Sequence, residues 1–204
     1  NGIPGKNENP IVDEKRSGDT YTIRDNIFEI PDGYSFGGWY TEAACTNKFT
    51  DTTTVLMTDL PLYAKWVPDK YTVTWKSEGK TLATETVNYN GYSSQGPTAQ
   101  AIKPSDDQYD YTFKGWKREG TEDTELVDLN TTPVIEDVTY VAVFDKTERK
   151  YTVTWKNGET TLDTEPVAYG KMPTKTFTPE KPSTPEFDYK FLGWKVKDGN
   201  NELV

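Results

Sequence analysis

Tyr71-Thr72-Val73-Thr74-Trp75-Lys76 recurs letter for letter as Tyr151-Thr152-Val153-Thr154-Trp155-Lys156. In each copy Tyr, Val and Trp fall on one face and the two threonines on the other, which is the period of a β-strand made of strong β-formers. The copies lie 80 residues apart. That is too long for a solenoid repeat and about the size of one small domain, so the chain reads as a tandem array of modules.

Two further patterns keep the same spacing. Tyr34-Ser35-Phe36-Gly37-Gly38-Trp39 has counterparts at Tyr111-Thr112-Phe113-Lys114-Gly115-Trp116 and Tyr189-Lys190-Phe191-Leu192-Gly193-Trp194. In a regular strand the Trp would point away from the Tyr and Phe, and a bulge at the glycine would turn it back inward. After a polar loop and Phe49, Leu126 or Leu203, Leu60, Leu62, Ala64 and Trp66 alternate as Val138, Tyr140, Ala142 and Phe144 do. This last pattern is a half-buried strand that closes the unit.

The patterns divide the chain into an incoming linker over 1–17 and three modules. The first, 18–67, has its opening half diverged or missing, with a short strand at Thr20 to Ile23. The second, 71–144, is complete, and the third, 151–204, lacks the closing strand. Each hexapeptide leads into a hairpin, with Asn157-Gly158 the stronger turn signal, and Pro166 requires an edge strand or a bulge. The connections 90–108 and 170–186 are rich in Pro, Gly, Ser and Thr, which leaves room for a helical turn or two at most. The fold class is mainly β, α+β at most. The short charged links Val67–Lys70 and Asp145–Lys150 string neighbouring modules end to end and limit their motion without forbidding it, giving an elongated array.

Composition removes most chemistry. The chain has no histidine and one cysteine, Cys45. That excludes His-based triads and bases, His or thiolate metal sites and an intrachain disulfide. Cys45 stands in a polar stretch with no nearby histidine to activate it. A net charge of −10, with Lys and Arg scattered, argues against nucleic acid. No run is long and apolar enough for membrane insertion.

Paired carboxylates survive as candidates at Asp106 with Asp107 and at Glu122, Asp123 and Glu125, but acidic runs in polar loops are ordinarily solvated surface. Asp198-Gly199-Asn200-Asn201-Glu202 is the nearest approach to a calcium loop and reads more simply as a turn. Lys76 and Lys156 are the lysines to consider for an internal isopeptide cross-link, although both enter a turn. No catalytic, metal or cofactor residue is assigned.

The aromatic residues carry the remaining choice between core and ligand platform. Trp39, Trp66, Trp75, Trp116, Phe144, Trp155 and Trp194 repeat on apolar faces and are assigned to the structural core. Tyr40, Tyr63 and Tyr92 fit the repeat face less well and are the residues from which a ligand surface would be built.

Together, Tyr-Thr-Val-Thr-Trp opening a unit, Tyr-x-Phe-x-Gly-Trp in its middle and Leu62-Tyr63-Ala64-Lys65-Trp66 or Tyr140-Val141-Ala142-Val143-Phe144 closing it resemble the Listeria–Bacteroides repeat, the family that includes the B-repeat of internalin B. The resemblance covers nearly all of 20–204. It implies tandem β-grasp-like modules on a secreted or wall-attached bacterial protein, with no catalytic residue to carry over. The expected function is a non-enzymatic extracellular spacer or presentation stalk whose partners are the neighbouring domains of a larger surface protein. The alternative is an adhesion module that binds a host glycan or protein through loop aromatics.

Overall fold

The computed structural model describes residues 11–120, 126–176 and 178–197. Among these residues ten strands follow in order: β1 (Thr20–Thr22), β2 (Tyr34–Tyr40), β3 (Thr53–Val55), β4 (Tyr63–Pro68), β5 (Lys70–Ser77), β6 (Lys80–Asn88), β7 (Tyr109–Arg118), β8 (Val138–Glu148), β9 (Lys150–Asn157) and β10 (Thr160–Ala168). The fold is mainly β. Among the described residues the helical content is one 3-10 turn, Thr98–Gln100, in the proline-rich connection. The chain forms two compact units. One extends to Lys103 and resumes over Thr112–Asp145, and the other holds Pro104–Tyr111 and continues from Lys146.

In the first unit the complete module is a four-stranded sheet of order β6-β5-β8-β7. The hexapeptide strand β5 pairs antiparallel with β6 and parallel with β8, Val73 facing Val138 and Trp75 facing Tyr140. The inward face predicted by alternation is the core: Val73 and Trp75 are 0% and 1% exposed, and Val138, Tyr140 and Ala142 of β8 are buried with them. Trp116 lies 4.8 Å from Trp75, ring centre to ring centre, and Phe113 lies 5.2 Å from Trp116. Burial of each indole removes about 150–250 Å² from water, worth roughly 4–6 kcal/mol at ~25 cal/mol per Å². The Trp116 indole N–H, taken from water with its ring, donates to the Gln95 carbonyl at 3.1 Å.

The first module has no hexapeptide hairpin. β2 pairs with β4, and β1 pairs with β3, a strand the sequence reading does not contain. The register of β2 shifts between Phe36 and Gly38, where Gly38 has φ 108°, so the bulge falls at the predicted glycine and brings Trp39 to 5.3 Å from Phe36. Trp39 also packs 6.0 Å from Phe28, whose position is set by Asn26 bonding both its N–H and its carbonyl. β4 starts at Tyr63 rather than Leu60, because Pro61 has no N–H to give a ladder. Residues of the predicted linker are tied down: the Tyr21 hydroxyl and Arg24 both bond Asp13, and the Arg16 carbonyl accepts the Asp19 N–H.

The second unit contains the hairpin β9–β10. It repeats β5–β6 down to the extra residue, Leu82 in one and Leu162 in the other, that shifts the register opposite Trp75 and Trp155. Both turns have two residues, Glu78-Gly79 and Gly158-Glu159; Asn157 is therefore the last residue of β9 and not part of the turn. Pro166 sits on β10 at the edge of this two-stranded sheet. Tyr189–Trp194, predicted as a strand, is not one. Its counterpart β7 is a strand because β8 lies beside it, and no described residue of the third module takes that place. The rings nevertheless repeat, with Trp155–Trp194 at 4.8 Å and Phe191–Trp194 at 5.3 Å. Leu203 and the loop 198–202 lie outside the described residues.

Candidate functional site

The feature built twice, with different side chains, is the joint between consecutive modules. The four- and six-residue links expected from the sequence are not links: β4 runs to Pro68 and β5 begins at Lys70, while β8 runs to Glu148 and β9 begins at Lys150. Only Asp69 and Arg149 stand between strands. The links become strand because partners extend beside them, Tyr34 pairing with Pro68 in the first case and β7 starting two residues before Tyr111 in the second.

Each joint residue uses both of its backbone groups. Asp69 N–H donates to the Gly33 carbonyl at 2.8 Å, and the Asp69 carbonyl accepts the Tyr89 N–H at 2.7 Å. In the second unit Arg149 N–H donates to the Gln108 carbonyl at 2.8 Å, and the Arg149 carbonyl accepts the Tyr169 N–H at 3.1 Å. One residue thus ties the chain before the middle strand of one module to the end of the return strand of the next. Satisfied backbone on both sides leaves it little rotational freedom.

The side chains around the two joints differ. At the first, the Asp69 carboxylate accepts the Ser35 hydroxyl, and Tyr89 lies 5.7 Å from Tyr34 and 6.3 Å from Tyr71. At the second, the Arg149 guanidinium donates to the Asp106 carbonyl at 2.6 Å and stands 5.4 Å from the Tyr151 ring, a cation–π distance. The Tyr151 hydroxyl donates to the Asp107 carbonyl at 2.8 Å. Asp106, a candidate catalytic acid in the sequence, instead accepts the N–H groups of Gln108 and Tyr109 and the hydroxyl of Tyr111, and so shapes the turn before β7. Glu122, Asp123 and Glu125 lie outside the described residues.

A second repeated device links hairpin to connection. Glu85 accepts the N–H and hydroxyl of Ser94; 80 residues on, Glu165 accepts the N–H and hydroxyl of Thr174 and the N–H of Lys175. Those bonds, that from the Thr174 hydroxyl foremost, hold the Glu165 carboxyl below its ordinary pKa. In the first module Glu42 gathers the loop after β2, accepting from the hydroxyls of Thr41 and Thr46 and from the N–H groups of Thr46 and Asn47. Its pKa is pushed down to about 2, the Thr46 hydroxyl bond contributing most.

Of the residues predicted for a ligand surface, the structure brings Tyr40 and Tyr63 together and places Tyr92 in another module. Tyr40 ends β2 and Tyr63 begins β4 as its cross-strand partner, whereas Tyr92 follows β6 in the next module. Tyr40 is 8% exposed, covered by the loop that returns to bridge it at Lys48 and by Lys65, whose ammonium stands 4.8 Å from the ring. Tyr63 is half-buried and Tyr92 is 58% exposed. Of the residues assigned to the core, Trp75 and Trp116 are buried, and Trp39, Trp66, Phe144, Trp155 and Trp194 are half-buried. Cys45 is buried too, with φ 51° and its thiol toward the Ala64 carbonyl. The Lys76 ammonium pairs with both Glu119 oxygens at 3.0 Å, with no asparagine in that bond.

The family model of the Listeria-Bacteroides repeat domain matches residues 5–65 and 71–143, more than half of the chain. The chain belongs to this family. Listeria-Bacteroides repeats of this kind also give it relatives. A provisionally named membrane protein of Evansella cellulosilytica is 30% identical over 80% of this chain and 23% of its own length. A provisionally named Gly-rich membrane protein of the same organism is 29% identical over 81% of this chain and 18% of its own length. Internalin H of Listeria monocytogenes is 32% identical over 46% of this chain and 16% of its own length. The chain thus spans less than a quarter of the length of each of these relatives. No solved structure matches it. Among the described residues no helix is long and apolar enough to cross a membrane.

Proposed function

We propose that this repeat region is a non-enzymatic spacer or presentation stalk in an extracellular bacterial surface protein. The observation that carries the reading is the joint: a single residue between strands, held through both its N–H and its carbonyl, at Asp69 and again at Arg149. A spacer needs modules whose cores repeat and whose junction residues are held, and it places no demand on surface chemistry. The repeated Trp pairs support the first requirement, and the engagement of Asp106 in turn-building speaks against its use as an acid. Neighbouring domains of the parent protein are its partners in this reading.

The test is to place one, two or three copies of the second module between a wall anchor and a reporter domain on a bacterial surface, and to measure the reporter's height above the wall. Height should rise with each copy; a height that ignores copy number would remove the proposal. Tyr92, with 58% of its surface exposed, favours a second reading, adhesion to a host glycan or protein. Saturable binding to a glycan or host-protein panel that Tyr92→Ala abolishes would establish it.

A further inference from the structure

The two joints differ at the residue before the repeated Tyr-x-Phe-x-Gly-Trp. It is Gly33 before Tyr34 at the first and Asp110 before Tyr111 at the second. At the first joint the Tyr89 ring occupies the space a side chain at Gly33 would need, 2.2 Å from an ideal Cβ, and meets Tyr34 edge-on at 5.7 Å. At the second, Asp110 carries a side chain, and its carboxylate stands 3.5 Å from the Arg149 guanidinium. The glycine surface on which Tyr89 rests therefore does not exist for Tyr169, the residue in the same place of its hairpin. The other contact is kept: Tyr151 and Tyr169 lie 6.4 Å apart, as Tyr71 and Tyr89 do at 6.3 Å.

In place of the closed contact the second unit has a shallow pocket of about 350 Å³, lined by Asp106, Asp107, Gln108, Tyr109, Tyr111 and Tyr169. Its shape is held from behind. The Asp106 carboxylate accepts the N–H groups of Gln108 and Tyr109 and the Tyr111 hydroxyl, and the Tyr151 hydroxyl donates to the Asp107 carbonyl. Among the described residues the bonds of Asp107 and Gln108 are made by their backbones, Asp107 through its carbonyl and Gln108 through its N–H and carbonyl, so the Asp107 carboxylate and the Gln108 amide are left to the pocket.

This lining selects the chemistry of a ligand. Tyrosine rings offer apolar faces with a polar tip, and a carboxylate with an amide offers acceptors and donors at their rim. A pyranose has the complementary surface, an apolar C–H face bounded by hydroxyls. Charge narrows the choice. The Lys146 ammonium already stands 4.6 Å from the Tyr109 ring and Arg149 lies beside Asp110, so a cation would meet cations; an anion would meet Asp106, Asp107 and Asp110. The volume is at the small end of ligand pockets, which run from about 300 to 1,000 Å³.

We propose that this pocket binds one uncharged pyranose unit of a glycan, its C–H face on the Tyr169 ring and its hydroxyls on Asp107 and Gln108. The site is separate from Tyr92, which belongs to the first unit, and it goes beyond the spacer reading. A stalk without a ligand would still give reporter height that rises with copy number, so the two readings fail separately.

The test titrates the methyl glycosides of glucose, galactose, mannose and N-acetylglucosamine into the whole isotope-labelled chain and follows its amide signals. At least one should shift Asp107, Gln108 and Tyr169 saturably, with a Kd in the millimolar range, while Tyr34, Asp69 and Tyr89 of the first joint stay in place. Gln108→Ala should weaken that binding about fivefold, the usual loss for a neutral hydrogen bond, and Tyr169→Ala by more than that. Unshifted β9 amides in both variants show that the hairpin is intact, and the Gln108 amide bonds no described residue whose loss would unfold it. Absence of saturable shifts at tens of millimolar glycoside, or full binding by Gln108→Ala and Tyr169→Ala, would overturn the proposal. So would stronger shifts of the same amides by tetramethylammonium or by glucuronate than by any of the neutral sugars, since the pocket would then select charge.

Discussion

Gly33 lies against the ring of Tyr89, so closely that a Cβ on it would fall 2.2 Å from the ring carbons. Gly33 stands just before β2 of the first module and Tyr89 just after the return strand of the second, and the Asp69 backbone bonds to both. With φ at 73°, Gly33→Ala meets both a left-handed backbone and a steric overlap. The substitution should destabilise the first unit by about 2 kcal/mol or more, of which roughly 1–2 is the backbone contribution. Gly18→Ala is the control, at φ 90° with nothing near its Cβ, and should lose the backbone contribution alone. Urea unfolding of both variants measures the difference; equal losses would show that the Tyr89 contact yields freely.

Trp75 and Trp155 are the same residue of the same hexapeptide in unequal surroundings. Trp75→Ala opens a cavity in a sealed core and should cost about 3–5 kcal/mol, with Trp155→Ala well below that because its ring is half-buried. Hydrogen exchange at the amides of β5 and β9 reads the two units separately. Equal losses would show that the difference in burial between the two rings does not carry into stability.

Glu42 links loop order to pH. Its folded pKa of about 2 lies below the ordinary 4.5, so its contribution is complete above about 4.5 and is lost as pH falls toward 2. The carboxyl signal of Glu42 should titrate near 2 in the native protein. In Glu42→Gln, the protection of the Thr46 and Asn47 amides relative to their intrinsic exchange should be lower at neutral pH and should no longer vary across that window. A native midpoint near 4.5 would contradict the bonding described.

Glu165 fastens the connection after β10 to the hairpin. Glu165→Ala should raise amide exchange at Thr174 and Lys175 by about an order of magnitude while leaving β9 protected, since the removed bonds lie outside the strand pair. Glu85→Ala should act in the same way at Ser94. Unchanged exchange at these amides would mean that the connection is held by its prolines alone.

Local chemistry made much of this legible. Period-2 alternation in Tyr-Thr-Val-Thr-Trp requires a strand with one buried face whatever surrounds it, and the same alternation leaves Ser35 exposed between Tyr34 and Phe36. The Phe36–Gly38 bulge follows because Trp39 could not otherwise share a face with Phe36. Proline density limited the connection after β6 to a single 3-10 turn.

The sequence by itself determined the module period and the inward face of the repeated strands, because the same patterns recur at a fixed offset and alternation involves residues two positions apart. Tertiary structure decided the rest. Whether Val67–Lys70 is a link or a strand depends on the chain beside it, Tyr40 is buried by a loop that returns at Lys48, and Tyr189–Trp194 is irregular although its counterpart β7, beside β8, is a strand. Strand pairing satisfies backbone groups across large separations in sequence. A stretch with the right pattern becomes a strand only where a partner supplies the other half of the ladder.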